Sequence, residues 1–479
     1  MEARYFDTPD GALSAQGIAF RLRREGDQWV QTVKALGQGP LDREEHNVAL
    51  GSAQAAQAPQ PRPELHAGTA AGTRLLQALQ AASGPLSETY GTEMDRLTRD
   101  IAFKGGVVEL ALDTGRVIAH RGTPQHKETP ICELELELKA GPVAGLVDLA
   151  TRWATQHGLF LSTVSKAERG ERLLAAQWAR PAIKALPMKA HSHKHSLLAL
   201  PLQRAVVAHC LHQTLGNASE IVEGSGDQEH MHQLRIGIRR LRTALRELDA
   251  LAPGNFDSAW TPPLVDVFQR LGKLRDCGQV LLAMDADLHL AGAPAVDLPA
   301  AAQAASSDAT AAGIVHTPAF QAALIGLMGF TAQNQAIPGK TEGAMDAKDT
   351  RRWLQKRLWG LHAKVQKDAQ RFGALSAEQQ HRLRKRLKRL RYLTEFLAPA
   401  LKAEGTPFLE SLQPALSALG RLNDERVALA LYGEIITTDP RAWFAVGWLT
   451  ARQAGAADAC KVALSHIAEA PRLRHSCAR

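Results

Sequence analysis

The sequence has 479 residues, too many for one ordinary hydrophobic core, so we expect at least two domains. Lys and Arg number 57 against 49 Asp and Glu, and this net charge of +8 favours an acidic partner. The five cysteines are scattered without metal-ligand spacing, and neither an apolar run of bilayer length nor a secretory leader is evident, so the sequence predicts a cytoplasmic protein without a membrane partner.

The charge is divided unevenly along the chain. Residues 1–180 contain 20 basic and 22 acidic residues, whereas residues 181–479 contain 37 basic and 27 acidic residues. We therefore expect a polyanion to bind the second part, and we expect the mixed charges of the first part to suit a site that holds a cation and an anion together.

The first 140 residues predict mainly strands, because short alternating runs lie between turn-rich segments. The alternating runs are 18–23, 29–34, 107–112 and 131–138. Apolar residues at helical spacing predict two helices, 74–82 and 143–157. The segment 51–70 is rich in Pro, Gly and small residues and predicts a loop.

Charged side chains are predicted to share strand faces. Alternation places Glu133, Glu135 and Glu137 on one face of a strand. The same rule pairs Arg21 with Arg23, Thr32 with Lys34, and Glu109 with Asp113. Inside a barrel, such acids would bind Mg²⁺ or Mn²⁺ while the bases bound phosphate oxygens. The alternative, from alternation alone, is an ordinary half-exposed sheet.

Residues 179–196 predict a linker, since they contain two prolines and show no sustained period. Three histidines at 191, 193 and 195 lack the further ligands of a metal site, which favours a flexible segment. From residue 197 onward, apolar spacings of three and four predict helices. These helices are 199–223, 229–251, 262–288, 349–371, 376–402, 407–437 and 440–468, interrupted by an Ala-rich stretch at 292–313.

Two motifs occur twice in this helical part. The pattern H-x-L-R-x-x-x-[RK]-R-L-R begins at His232 and again 149 residues later at His381. The pattern L-G-[KR]-L-x-D begins at Leu271 and again 148 residues later at Leu419. Because both motifs recur in the same order at nearly the same offset, the sequence predicts two homologous halves.

On a helix, the basic residues of each copy form one stripe, separate from an apolar stripe. The first basic stripe is His232, Arg235, Arg239 and Arg242, and the second is His381, Arg384, Lys388 and Arg391. If the halves pack about a two-fold axis, the stripes would face each other and bracket a polyanion, because guanidinium groups engage phosphate oxygens in pairs. The alternative is that both stripes are solvated surfaces.

These repeated motifs resemble the CHAD domain, the conserved-histidine α-helical domain, over residues 197–479. The resemblance implies two pseudo-symmetric helical bundles that bind inorganic polyphosphate through both stripes. Asp276 and Asp424, in the second motif, are expected to cap or pair within the bundle.

The first part of the chain, residues 1–178, resembles the CYTH domain of the triphosphate tunnel metalloenzymes. The matching motifs are Y-F-D-T-P from Tyr5, L-x₃-G-x₃-R-x-R from Leu13, W-x-x-T-x-K from Trp29, R-x-E from Arg43, E-x-E-x-E from Glu133 and S-K-x-x-R-G from Ser165. The resemblance implies phosphate binding by Arg21, Arg23, Lys34, Arg43, Arg96 and Arg169, metal binding by Glu45, Asp113, Glu133 and Glu135, and catalysis by Glu133, Glu135 and Lys166.

Together the two resemblances predict an α+β protein, with an antiparallel β tunnel followed by an all-α domain. They imply a metal-dependent inorganic triphosphatase that also binds polyphosphate. Members of the tunnel family carry a strand with E-x-E-x-K ahead of Y-F-D-T-P, and Glu2-Ala3-Arg4 does not match it. The tunnel is therefore expected to lack its first strand, either because the true start lies upstream of Met1 or because the enzyme is weakened.

Two other functions follow from the same residues. One is a non-catalytic polyphosphate-binding protein with a degenerate tunnel domain. The other is nucleic-acid binding, which the sequence disfavours because neither basic stripe is interleaved with aromatic residues for base stacking. The sequence leaves open the preferred phosphate substrate, the choice between Mg²⁺ and Mn²⁺, and the oligomeric state.

Overall fold

The computed structural model describes eight stretches of the chain, namely residues 1–37, 43–52, 58–188, 197–275, 280–296, 310–332, 343–401 and 405–469. Two compact units result, one formed by residues 1–182 with 222–225 and 324–334, and the other by the remainder. The three linker histidines, Asp276 and most of the Ala-rich stretch lie outside the described residues.

The first unit is built on a seven-stranded antiparallel sheet. Its strands are β1 Glu2–Asp7, β2 Ile18–Glu25, β3 Gln28–Leu36, β4 Arg43–Ser52, β5 Ser87–Phe103, β6 Gly106–Ala119 and β7 Lys127–Ala140. Their order is β4-β3-β2-β1-β5-β6-β7, an open sheet with β4 and β7 at its edges within the described residues. All four alternating runs identified in the sequence lie in these strands.

Helix α1, Ala70–Ala81, packs against the apolar face of β2 and β3. The core there contains Phe20 and Val33 on the strands and Leu75 on the helix, all fully buried. The helix sits very close to the preceding turn, since a Cβ on Gly72 would lie 1.8 Å from a backbone carbonyl oxygen. Covering this face leaves the opposite, charged face of the sheet for a site.

Two further helices complete this unit. Helix α2 is Val143–His157, with the bounds that the sequence predicts, and it ends at Gly158 in the left-handed conformation that favours glycine. Helix α3 is Lys166–Leu174, and the Ser165 hydroxyl caps it by accepting from the Glu168 amide. This cap places Lys166 at the first position of the helix.

The second unit is helical. The helices from residue 199 onward are α4 Ala199–Val222, α5 Gln228–Leu248, α6 Thr261–Arg275, α7 Leu281–Leu290, α8 Ala311–Val315, α9 Pro318–Ala332, α10 Ala347–Gln370, α11 Ala377–Leu401, α12 Gly405–Ile435 and α13 Trp443–Glu469. They belong to the second unit, except that the end of α4 and residues 324–332 of α9 are grouped with the first. The single predicted helix at 262–288 is two helices, α6 and α7, and α8 and α9 are absent from the prediction. The predicted class, an antiparallel β domain followed by an all-α domain, is confirmed.

The two motif helices, α5 and α11, pack against each other. Leu234, Ile238 and Leu241 are fully buried on α5, and Leu383, Leu387 and Leu390 are fully buried on α11. Arg240 on α5 forms an ion pair with Glu395 on α11 and lies over the Phe396 ring at 5.1 Å. The amphipathic pattern of each copy therefore determines which face enters the core.

Among the described residues, we find no helix whose length and hydropathy would suit a bilayer crossing.

Candidate phosphate and metal sites

Strand pairing gathers the charged residues of the first unit on one sheet face. Residues directly opposite each other in antiparallel strands project to the same side. The register sets Lys34 opposite Glu45, Arg96 opposite Asp113, and Asp113 opposite Glu133. Arg21 and Arg23 share this face through their pairing with Thr32 and Val30. One surface thus carries cations on β2 and β3, and acids mainly on β6 and β7.

Lys166 is the centre of an acidic cluster at one end of this face. Its Nζ donates hydrogen bonds to Glu135 at 2.8 Å and to Glu133, and it lies 2.7 Å from Asp113 Oδ2. Asp113 is fully buried, Lys166 is nearly so, and Glu135 is about half exposed. Helix α3 thus delivers one ammonium group to three carboxylates from two adjacent strands.

Arg96 closes the cluster from β5. Its Nε donates to Asp113 Oδ1 at 2.6 Å, and its Nη2 donates to Glu135 Oε2 at 2.7 Å. The hydrogen bond to Asp113 raises the pKa of Arg96 above its ordinary value. Since two cations face three carboxylates, the cluster keeps one net negative charge.

The protonation states of the cluster follow from this pairing. Burial opposes ionisation of Asp113 and Glu135, but hydrogen bonds and charge attraction from Lys166 and Arg96 lower the pKa of both acids. Burial likewise opposes the charge on Lys166, yet Glu135 and Glu133 raise its pKa to about 12. Asp113, Glu135 and Lys166 are therefore ionised at neutral pH.

Asp113, Glu133 and Glu135 fit a divalent cation. Each offers one carboxylate oxygen, and these oxygens lie within 4.8 Å of one another. Oxygen donors of this kind are the ligands that Mg²⁺ and Mn²⁺ prefer. Glu45, the fourth predicted metal ligand, lies outside this group among the described residues, and its carboxylate accepts from Lys34 at 2.7 Å.

Arg21 connects the two ends of the face. It is buried and donates to the Tyr5 hydroxyl at 3.2 Å. Burial opposes its charge, but Tyr5 and the carboxylates of Glu45 and Glu135 raise its pKa. Arg21 thus lies within electrostatic reach of acids at both ends of the face.

The second unit brings the two predicted basic stripes together. Lys388 on α11 lies within electrostatic reach of Arg235 and Arg239 on α5 and of Arg384 on its own helix. Burial and these positive charges lower the pKa of Lys388 to about 6. Cations from both halves therefore lie close enough to interact, and their joint binding of a polyanion stays a prediction.

Residues 1–170 match the CYTH domain family, and residues 205–433 match the CHAD domain family. The chain combines a CYTH domain with a CHAD domain.

One curated protein and two solved structures are similar to parts of this chain. Over 178 residues the chain is 30% identical to a protein named inorganic triphosphatase from Haemophilus influenzae. This alignment covers 36% of the chain and 46% of the relative, so the chain spans about half the length of that curated protein. A crystal structure of the CHAD domain from the plant Ricinus communis is 27% identical, with a TM-score of 0.46, and aligns over 62% of this chain and 99% of that one. PptA from Streptomyces chartreusis is 18% identical with a TM-score of 0.41, over 57% of this chain and 99% of its own.

Some predicted site residues of the CYTH domain lie apart from the acidic cluster. Arg23 is paired with Glu25 on its own strand. Arg169, on α3, donates to Glu223 at 3.0 Å. The side chain of Arg43 lies outside the described residues. Their roles in phosphate binding stay predictions.

In the CHAD domain, the stripe residues differ in their partners. Arg391 donates to Glu395 at 2.8 Å, whereas burial and the charges of Arg246 and Arg239 lower the pKa of Arg242. Burial and neighbouring cations, Lys385 first, also lower the pKa of His381. His381 is therefore largely neutral at neutral pH.

Sequence reasoning missed two aromatic positions beside these sites. Tyr90 stacks on Tyr5 with ring centroids 4.8 Å apart, and Tyr5 in turn accepts from Arg21. Phe268, on α6, lies against the first basic stripe. The available signal in the sequence was proximity to a motif. Phe268 lies three residues before the L-G motif, and Tyr90 stacks on Tyr5, which belongs to the Y-F-D-T-P motif.

Proposed function

We propose that this chain hydrolyses inorganic triphosphate or a similarly short phosphate chain in a metal-dependent reaction in its CYTH domain. The observation that carries the proposal is the single sheet face on which Arg21, Arg23 and Lys34 lie on neighbouring strands while Lys166 and its three carboxylates lie at the other end. A triphosphate with its metal needs both kinds of group on one surface. The name of the Haemophilus influenzae relative supports the same reaction.

Each group has a distinct role in the proposed reaction. Arg21, Arg23 and Lys34 neutralise phosphate oxygens and hold the chain along the face, as Arg96 does nearer the acids. Asp113, Glu133 and Glu135 would hold Mg²⁺ or Mn²⁺, which supplies Lewis-acid polarisation of the phosphoryl group. A Glu133 or Glu135 oxygen not engaged by metal orients the attacking water, and Lys166 donates to a phosphate oxygen.

The CHAD domain, in this proposal, binds longer polyphosphate. Burial and the nearby cations of both stripes lower the pKa of Lys388 to about 6, and a string of phosphate groups would offset the repulsion among these cations. The cytoplasm is the proposed location, and inorganic triphosphate and polyphosphate are the proposed partners.

A phosphate-release assay with tripolyphosphate and Mg²⁺ or Mn²⁺ tests the catalytic part. We expect release by the wild-type chain and a loss of about a hundredfold or more in Glu133→Ala and Glu135→Ala variants, since each removes a metal or water contact. Glu137→Ala is the matched control, because Glu137 shares the face but belongs to no metal-sized group among the described residues.

The same assay distinguishes this hydrolase function from a second candidate function. Lys166 and Arg96 already pair with the three carboxylates, which favours, as the alternative, a CYTH domain that binds phosphate without hydrolysing it. Polyphosphate binding without release above the Glu133→Ala background would establish that alternative.

A further inference from the structure

Phe268 on α6 lies beneath three guanidinium groups of the first basic stripe. The distances from Cζ to its ring centroid are 5.1 Å for Arg235, 5.2 Å for Arg239 and 5.8 Å for Arg242. The three arginines follow at intervals of four and three on α5, so they project from one face of that helix. A single ring on the neighbouring helix thus contacts three of the four stripe residues.

Gly272, one turn after Phe268, gives Arg235 the room to lie against α6. A Cβ at position 272 would lie 2.8 Å from Nη2 of Arg235. Because this atom is the end of a flexible side chain, a larger residue would displace the guanidinium group and leave the helix backbone in place. Phe268 and Gly272 together therefore determine where the Arg235 side chain lies.

The second half of the domain has a different arrangement at the matched positions. At the repeat offset of 148, Leu416 corresponds to Phe268 and Gly420 corresponds to Gly272. Leu416 is buried and aliphatic, and a Cβ on Gly420 would meet nothing within 4 Å. The aromatic contact is therefore a property of the first half at this matched pair of positions.

The ring offsets two costs of gathering cations. Its π face attracts the guanidinium groups, which otherwise repel one another and turn toward water. It also restricts long side chains before any ligand arrives, so that less conformational entropy is lost on binding.

We propose that Phe268 and Gly272 are positioning residues that preorganise Arg235, Arg239 and Arg242 to bind phosphate. This inference rests on the proposed polyphosphate binding. Phe268 acts through the arginines and needs no phosphate contact of its own.

The test compares polyphosphate affinity among full-length variants by isothermal titration at several salt concentrations. We expect Phe268→Leu to weaken binding by about tenfold, because three side chains become mobile. The dependence of log K on log salt should keep its wild-type slope, because no charge is removed. Phe268→Trp, which keeps an aromatic ring, should bind within about twofold of wild type.

Gly272→Ala and Gly420→Ala form a matched pair that does not depend on the aromatic ring. We expect Gly272→Ala to bind several-fold more weakly and Gly420→Ala to bind like wild type, while both keep the wild-type helix content. Equal affinities of wild type, Phe268→Leu and Gly272→Ala would overturn the inference and leave polyphosphate binding intact. A wild-type chain that does not bind polyphosphate would overturn the proposed function and this inference together.

Discussion

Lys388 shows how neighbouring charges control one side chain. Burial and the guanidinium groups of Arg239 and Arg384 lower its pKa from 10.5 to about 6. Because the folded pKa lies below the unfolded one, the stability contributed by this group is present above pH 10.5 and is lost as pH falls toward 6. A bound polyanion reverses this effect by stabilising the ammonium form.

We therefore predict that polyphosphate binding is coupled to proton uptake by Lys388. Affinity should weaken as pH rises from 6 to 9, and titrations in buffers of different ionisation enthalpy should show protons taken up near pH 8. Lys388→Arg stays charged in this range and should bind with little pH dependence. Equal pH profiles for the two proteins would contradict the assignment to Lys388.

Lys166, unlike Lys388, is surrounded by carboxylates. Its ammonium holds together three carboxylates, so Lys166→Met leaves them to repel one another. We expect a loss of about 3 kcal/mol in the free energy of unfolding at pH 7, from urea denaturation. Lys139→Met is the control, since the exposed Lys139 side chain pairs with the half-buried Glu109 and the exposed Glu137, and it should cost about 0.5 kcal/mol or less.

The pH dependence of the Lys166 effect has a definite sign. Asp113 and Glu135 have lowered pKa values in the folded wild-type protein, so their stabilising contribution is present above the ordinary carboxylate range and is lost as pH falls through the folded values. The difference in the free energy of unfolding between wild type and Lys166→Met should therefore become smaller at acidic pH. Mg²⁺ should recover part of the loss at pH 7, and an equal loss in Lys139→Met would contradict this account.

At the scale of elements, α5 and α11 carry the same division into basic and apolar faces. The apolar face enters the helical core, which separates it from the basic face. Local spacing predicted α2 to the residue, α11 to within one residue at each end and α5 to within three residues. It did not predict α3, because nine residues rich in charge carry too few apolar positions for a clear period.

We predict that charge reversal on either motif helix weakens polyphosphate binding. Arg239→Glu and Lys388→Glu should each lower affinity by at least about tenfold and reduce the salt slope, because cationic contacts with phosphate are lost. Arg352→Glu is the control and should change little, because the Arg352 side chain on α10 is exposed. Fluorescence anisotropy of labelled polyphosphate measures the affinities of all three variants. Weaker binding by only one of Arg239→Glu and Lys388→Glu would argue against a shared binding region.

At the scale of the whole molecule, the metal-sized acidic cluster and the paired basic stripes belong to different compact units. We therefore predict that the two proposed activities separate. Chelation by EDTA should abolish phosphate release from tripolyphosphate and leave polyphosphate affinity unchanged. Arg239→Glu should weaken polyphosphate binding and leave phosphate release unchanged. Release assays and titrations on the same preparations measure both, and loss of polyphosphate binding on chelation would contradict this separation.

The sequence by itself determined which side chains share a face within one strand or helix, because that follows from local periodicities of 2 and 3.6 residues. It also determined the duplication of the basic stripe. Only the tertiary structure decided that Asp113 lies opposite Glu133, that α3 carries Lys166 into their midst, and that Phe268 lies under three arginines. Strand register and helix docking depend on packing between residues far apart in the chain, which local periodicity does not encode.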